Sequence, residues 1–214
     1  NELEGNIQSI TFASRGEPTL NKNFSEMIAY TKNKFLATKL NTNGYSLNEK
    51  IINAILDSNI QTIVFSIDSA SEKEYETFRV NGNFKKVLDN IKLFNEIKKS
   101  DFPNSKIISR VSGVKYSQKQ DFKEMDSFWS NIVDQVSFVN YVPWENVYIS
   151  KKNNITESCS DLWRRMFIWW DGKANPCDVD YKSKLSVGEI SSKSISEIWK
   201  SPEYEKLRES HISK

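Results

Sequence analysis

The sequence predicts an α/β fold, an open barrel of parallel strands followed by a small hairpin and helix module. Three observations carry that reading. Five strand-like segments precede about residue 145, and a helical segment follows each of the first four. The strands recur very roughly every 30 residues, the interval that a crossover between parallel neighbours needs. From Trp144 the pattern gives way to a polar stretch and then an aromatic hairpin. A doubly wound sheet is the alternative, since periodicity does not separate the two.

The first strand is expected over Ile7 to Ser14, running into Arg15-Gly16-Glu17-Pro18. A helix follows from about Asn23, with Asn23 and Glu26 at capping-box spacing and Phe24, Met27 and Ile28 as its apolar stripe. Phe35 to Asn41 reads as the second strand, ending in the turn signal Thr42-Asn43-Gly44. Ser46 and Glu49 then stand at capping spacing before Ile51, Ile52, Ile55 and Leu56.

Thr62 to Ile67 is a continuous apolar run of the kind buried in a parallel sheet, and it ends at Asp68-Ser69. Ser71 and Glu74 open a short helix. A longer one follows with Phe84, Val87, Leu88, Ile91, Phe94 and Ile97 at spacings of three and four. Lys106 to Val114 is the fourth strand, Ser117 with Gln120 is expected to cap the next helix, and Gln135 to Val142 is the fifth strand. Ser150 to Ser160 reads as a linker. Met166 to Trp170, the hairpin signal Asp171-Gly172 and a return strand to Pro176-Cys177 come next, then a helix capped by Ser194 and Glu197.

Composition narrows the function. The 30 basic and 28 acidic residues are interleaved and give a net charge of +2, not the basic stripe of a nucleic-acid binder. No apolar run approaches the ~20 residues of a membrane span. Seven glycines form neither a GxGxxG nor a Walker loop, so no dinucleotide cradle is expected. The single histidine, His211, excludes a Ser-His-Asp triad or a multi-histidine metal site within these residues. The chain opens at Asn1 in mid-element and is expected to be an excerpt.

In α/β barrels the C-terminal strand ends hold the site. Here those ends are expected to carry Arg15, Gly16, Glu17, Thr42, Asn43, Ser66, Asp68, Arg110, Asn140 and Tyr141. Gly16 lets the backbone take an unusual φ or press against a ligand, and Glu17 sets a carboxylate beside it, a ledge suited to an ammonium group. Arg110, between apolar neighbours, needs a carboxylate or phosphate partner if buried. Each residue also has a purely structural reading, a surface turn at Gly16-Glu17-Pro18 or a pairing of Arg110 with Glu17 or Asp68. A strand-end lysine, Lys39 or Lys115, would suit a Schiff-base lyase.

Cys159 and Cys177 flank the hairpin, which brings their thiols toward one another. A disulfide, two inert thiols, a zinc site short of ligands, and a thiolate-held iron-sulfur cluster with further cysteines beyond Lys214 all remain open on spacing.

Taken together, these residues resemble the radical S-adenosylmethionine (SAM) enzymes that carry a twitch or SPASM module. Arg15-Gly16-Glu17-Pro18 is similar to the family's GGEP loop, with Arg15 in place of the first glycine. Asn41-Thr42-Asn43-Gly44 resembles its TNG strand end. Ser66-Ile67-Asp68 resembles the next strand end, followed by Tyr75, Arg79, Gly82 and Phe84. The tail resembles the module through Cys159, Trp163, Asp171-Gly172, Pro176-Cys177, Asp180, Gly188 and Trp199.

The resemblance implies a partial barrel lacking its first strand over residues 1–147 and a truncated module over 148–214, in a cytoplasmic enzyme. It implies SAM bound by Arg15, Gly16, Glu17, Thr42, Asn43, Ser66, Asp68 and Arg110, with Gly16 and Glu17 receiving the ammonium. Cys159 and Cys177 would ligate an auxiliary [4Fe-4S] cluster. The CxxxCxxC loop for the SAM-cleaving cluster would lie upstream of Asn1, so the excerpt alone is expected to be inactive. A small-molecule substrate, with a lean toward sugars, or a peptide would be the partner, with flavodoxin or ferredoxin as electron donor. Trp169, Trp170 and Tyr181 are assigned to packing.

Overall fold

Strands β1 (Ser9–Phe12), β2 (Ala37–Thr42), β3 (Thr62–Ser66), β4 (Ile108–Lys115) and β5 (Gln135–Asn140) pair in chain order, every pair parallel. The computed structural model describes residues 2–118, 120–149 and 157–213. The chain divides into two compact units, Leu3–Tyr141 and Val142–Lys214, the latter with the first two residues.

The strand order settles the architecture. Right-handed crossovers between successive neighbours put every helix on one side of the sheet, whereas a doubly wound sheet reverses from an internal strand. Helices α1 (Phe24–Tyr30), α2 (Glu49–Asp57), α3 (Glu72–Phe78), α4 (Phe84–Ser100) and α5 (Phe122–Trp129) accordingly share one core with the sheet. The sheet contributes Leu40, Ile63, Phe65 and Val111, Ile67 follows directly after β3, and the helices add Phe24, Ile52, Ile55, Val87, Ile91, Phe94 and Trp129. Each fully buried side chain of this kind contributes at most about 1.5–3 kcal/mol. Phe65→Ala, at the centre of the sheet, would cost about 3–5 kcal/mol.

The longest helix shows how local sequence sets the elements. Asn83 caps α4 by accepting the Lys86 N–H at 2.7 Å, and Lys98 and Lys99 in the last turn suit the negative end of its dipole. Its buried residues, Phe84, Val87, Ile91, Phe94 and Ile97, form one stripe against the sheet. Three other caps differ from the sequence expectation. Asn48, not Ser46, caps α2 by accepting from Ile51 N, and Asp121, not Ser117, caps α5 by accepting from Lys123 N and Glu124 N. Asn23 occupies the cap of α1 without a side-chain bond. At α2 and α5 the residue whose side chain reaches the N2 or N3 amide at the true helix start takes the role.

The second unit is built on a three-stranded antiparallel sheet, β6 (Phe167–Ile168), β7 (Lys173–Asn175) and β8 (Gly188–Glu189). Helices α6 (Ile195–Trp199) and α7 (Pro202–Ile212) follow. Ser194 and Glu197 form the expected capping box, and Ser201 caps α7 ahead of Pro202 at its first position. Leu162, Ala174, Val187, Ile198 and Tyr204 make its core. The hairpin turns at Asp171-Gly172, with Gly172 at φ +86° and its N–H bonded to the Trp169 carbonyl at 3.0 Å. Trp169 is buried, but Trp170 at the tip is 92% exposed, so its expected packing role is not met: a central turn residue has no facing strand. Residues 150–156 of the expected linker lie outside the described residues.

Candidate functional site: the open face of the sheet and a two-cysteine turn

Alternation along parallel strands divides the sheet into two faces. One is the apolar face under the helices. The other carries Lys39 and Asn41 on β2, Thr62, Val64 and Ser66 on β3, Arg110, Ser112 and Val114 on β4, and Gln135, Ser137 and Val139 on β5. Registered rows make the pattern explicit. Asn41, Val64, Arg110 and Gln135 form one row, and Ser66, Ser112 and Ser137 form the next toward the strand ends. Most side chains on this face are polar, whereas the helix side carries Leu40, Ile63, Phe65 and Val111. Two surface clefts, about 380 and 230 Å³, lie instead around Phe102, Pro103 and Ser105, near the beginning of β4, and contain none of the candidate residues.

The turn after β1 is tied to the end of β2 by one carboxylate. Glu17 Oε1 accepts from Thr19 N at 3.2 Å, Thr19 Oγ1 at 2.6 Å and Thr42 Oγ1 at 2.7 Å. Its Oε2 accepts from Asn43 N at 2.7 Å. Glu17 thereby caps a short 3-10 turn, Pro18–Leu20. The structure brings Glu17, Thr42 and Asn43 together as sequence reasoning expected, but as a clamp in which the Glu17 carboxylate takes the Thr42 hydroxyl and the Asn43 main-chain N–H. The positive φ of this loop is at Ser14, φ +87°, not at Gly16. What Gly16 supplies is clearance: a Cβ there would meet nothing within 4 Å, and the residue is exposed. Its carbonyl accepts no hydrogen bond among the described residues. Bare backbone facing open space fits an ammonium-bearing ligand.

Asp68 is the second fixed point. It is 1% exposed, with Oδ1 accepting from Val114 N at 2.8 Å and Oδ2 from Arg79 Nε at 2.8 Å and Nη2 at 2.6 Å. Its carbonyl accepts from Gln120 Nε2 at 3.0 Å. The same Gln120 amide donates to the Val114 carbonyl and accepts from Tyr116 N and Ser117 N, so all its capacity is used. Arg79 and Gln120 therefore hold the ends of β3 and β4. Sequence reading noted both without giving them this task, although a buried polar residue beside a strand end is a signal that partners must exist. Gly82 closes this corner, since a Cβ there would lie 2.7 Å from the Arg79 carbonyl.

Arg110 is corrected in position. It is the third residue of β4, five residues before the strand's end, and pairs with Gln135 Oε1 rather than with Glu17 or Asp68; its Nε donates at 2.9 Å. It faces the open side with Ser66 and Ser112, one step along the strands. Ser66 is half-buried and its hydroxyl makes no hydrogen bond among the described residues; Asn41 Oδ1, on the same face, is buried without one. At the ends of β4 and β5, Tyr116 and Tyr141 are 45% and 42% exposed, with ring centroids 5.2 Å apart. Burial pushes the Tyr116 phenol pKa up, with the Asp68 charge adding to the shift and Arg79 opposing it. Lys115 turns to the helix side, its Nζ 5.4 Å from the Phe122 ring and 6.0 Å from the Phe138 ring, which removes it as an open-face amine.

In the second unit Cys159 and Cys177 are both free thiols, so no disulfide forms. Cys159 caps the 3-10 turn Ser160–Trp163 and is exposed. Cys177 is half-buried. Burial pushes its thiol pKa up, main-chain N–H groups of Val179 and Asp180 oppose that, and the neighbouring charges of Asp178 and Cys159 add to it. The loop beyond is pinned by buried Asp180, which accepts from Tyr148 Oη, Lys184 N at 2.9 Å and Leu185 N at 2.7 Å. Two unbridged thiols, one aimed at by amide N–H groups, fit a thiolate-held cluster as two of its ligands. Among the described residues no three His, Cys, Asp or Glu side chains converge as a metal site.

Two family models match this chain: the radical SAM superfamily over residues 3–128, and an iron-sulfur cluster-binding domain, SPASM, over residues 159–214. The uncharacterized protein MJ0804 of Methanocaldococcus jannaschii is 33% identical over 95 residues, covering 42% of this chain and 33% of that one. The fold is similar to that of Streptococcus suis SuiB bound to its precursor peptide SuiA, with a TM-score of 0.69 at 18% identity over 94% of this chain. It is also similar to BtrN in complex with AdoMet and 2-DOIA, with a TM-score of 0.56 at 18% identity over 97% of this chain. The chain spans 55% of SuiB and 69% of BtrN.

Proposed function

This chain belongs to the radical SAM superfamily, and on that premise we propose that the complete protein cleaves SAM reductively and passes the radical to a peptide or small polar substrate. The carrying observation is the open, largely polar sheet face together with the exposed backbone of Gly16, in the loop that Glu17 ties to the end of β2. The bound cofactors supply reductive cleavage to a 5′-deoxyadenosyl radical, which takes a hydrogen atom from substrate.

The chain's own residues bind and orient. The Gly16 carbonyl receives the SAM ammonium, held in place by the clamp of Glu17, Thr42 and Asn43, with Arg15 beside it. Ser66 contacts the ribose. Arg110 pairs with the SAM carboxylate, a charge-assisted contact that its planar fork suits. Asp68, already saturated by Arg79 and Val114, acts by fixing the strand ends. Cys159 and Cys177 ligate the auxiliary cluster, and a one-electron donor such as flavodoxin or ferredoxin supplies the reductant.

Both substrate classes have support, since SuiB was captured with a peptide and BtrN with a small molecule. The test is anaerobic reconstitution of the complete protein. It should bind about eight irons, as two four-iron clusters require, and release 5′-deoxyadenosine from SAM on reduction. A protein that holds iron yet neither binds nor cleaves SAM would overturn the reading.

A further inference from the structure

Helix α7 grips the Cys159 turn from one side, and the grip centres on a buried cation. Tyr204 Oη donates to the Arg165 carbonyl at 2.9 Å, Arg208 Nε to the Leu162 carbonyl at 3.1 Å, and Ser158 Oγ to the His211 carbonyl at 2.6 Å. Residues 204, 208 and 211 stand at i, i+4 and i+7, one face of the helix. Their partners at 158, 162 and 165 bracket Cys159, whose carbonyl accepts from Leu162 N at 3.4 Å.

Arg208 is 7% exposed. Its guanidinium carbon lies 4.5 Å from the Trp199 ring centroid and 4.3 Å from that of Tyr204. Nη1 donates to the Trp199 carbonyl at 3.0 Å and to Glu205 Oε2 at 3.1 Å. Nη2 is buried with no hydrogen-bond partner among the described residues. An apolar side chain would fill this space without the cost of burying a charge, so the guanidinium needs a reason. A buried cation on the helix that holds a cysteine turn suits an anionic group presented by that turn.

Resting on the reading of Cys159 and Cys177 as cluster ligands, we propose that Arg208 is a positioning residue for the auxiliary cluster. Through Leu162 it fixes the turn that presents Cys159, and its guanidinium sets a positive charge behind that turn. Charge and hydrogen bonds to sulfur set cluster potentials, and a cation favours the reduced, more negative state. Arg208 therefore raises the cluster's potential.

The experiment is an EPR-monitored redox titration of the auxiliary cluster in the complete protein, comparing wild type, Arg208→Met and Arg208→Lys at equal iron content. Loss of Arg208 in the Met variant should lower the midpoint by about 59 mV, a tenfold change in a one-electron equilibrium. Arg208→Lys, which keeps the charge, should recover at least half of that shift. Equal midpoints in wild type and Arg208→Met overturn the proposal while leaving the cluster reading intact. A wild-type protein without the auxiliary cluster overturns the cluster reading, and the inference with it. If Arg208→Met fails to fold, Arg208→Gln takes its place in the titration: a midpoint lowered by about 59 mV supports the proposal, and an unchanged midpoint overturns it.

Discussion

Arg79 reaches Asp68 Oδ2 through two nitrogens, Nε at 2.8 Å and Nη2 at 2.6 Å, while Asp68 Oδ1 takes the Val114 amide at 2.8 Å. One carboxylate thus joins the end of α3 to the ends of β3 and β4. Asp68 is essentially inaccessible, so removing Arg79 strands a charge in the interior. Arg79→Ala should destabilise the protein by about 2–4 kcal/mol, somewhat below the ~3–5 of a fully buried pair because the Arg79 side chain is 29% exposed. Urea unfolding measures this. A loss under about 0.5 kcal/mol would mean that Asp68 does not depend on Arg79.

Glu17 should show a coupled loss. Read from sequence, its carboxylate is a ligand; in the structure it holds Thr19, Thr42 and Asn43. Glu17→Ala leaves those donors without a partner and removes an N-cap, and is expected to cost about 2 kcal/mol. SAM affinity should fall with it, because the Gly16 ledge loses its anchor. Thermal melts and equilibrium dialysis of the same preparation test the pairing, and lost SAM binding at unchanged stability would return Glu17 to the role of a direct ligand.

Acid should find a weak point at Asp134. Burial alone would raise its pKa, but the Ser109 N–H and hydroxyl, at 2.7 and 2.8 Å, and the Lys98 ammonium hold it below its ordinary 3.8. A depressed carboxylate adds stability that is complete above its unfolded pKa and is lost as pH falls through the folded value. The stability gap between wild type and Asp134→Asn should therefore be level near about pH 6 and close progressively below about pH 4. Denaturant midpoints across that window are the measurement, and a gap that widens in acid would refute the assignment.

Much of the fold was legible because the sheet is buried on its helix side. Phe65 on β3, Ile67 just beyond it and the α4 stripe from Phe84 to Ile97 can only be read as core, and strand order followed from crossover length. The two-cysteine turn was legible as a pair but not as a state, since only coordinates show both thiols free. Cap positions slipped by two to four residues, because Ser46, Asn48, Ser117 and Asp121 all suit a cap and only the true helix start selects one. The positions of polar residues along a strand were less legible. Arg110 stands in an apolar run, and no local pattern shows that it lies near the start of β4 with Gln135 opposite it. The assignments of Asp68 and Gln120 to structural bonds arise from long-range neighbours that spacing does not encode.

The central claim is that SAM binds along the open face and meets bare backbone at Gly16. Gly16→Val tests it most directly, because a Cβ there meets nothing within 4 Å and the residue has no left-handed φ. Its stability should stay within about 0.5 kcal/mol of wild type. SAM affinity of the anaerobically reconstituted complete protein, measured by calorimetric titration, should fall at least about tenfold, or ~1.4 kcal/mol. Wild-type affinity in Gly16→Val would contradict the account.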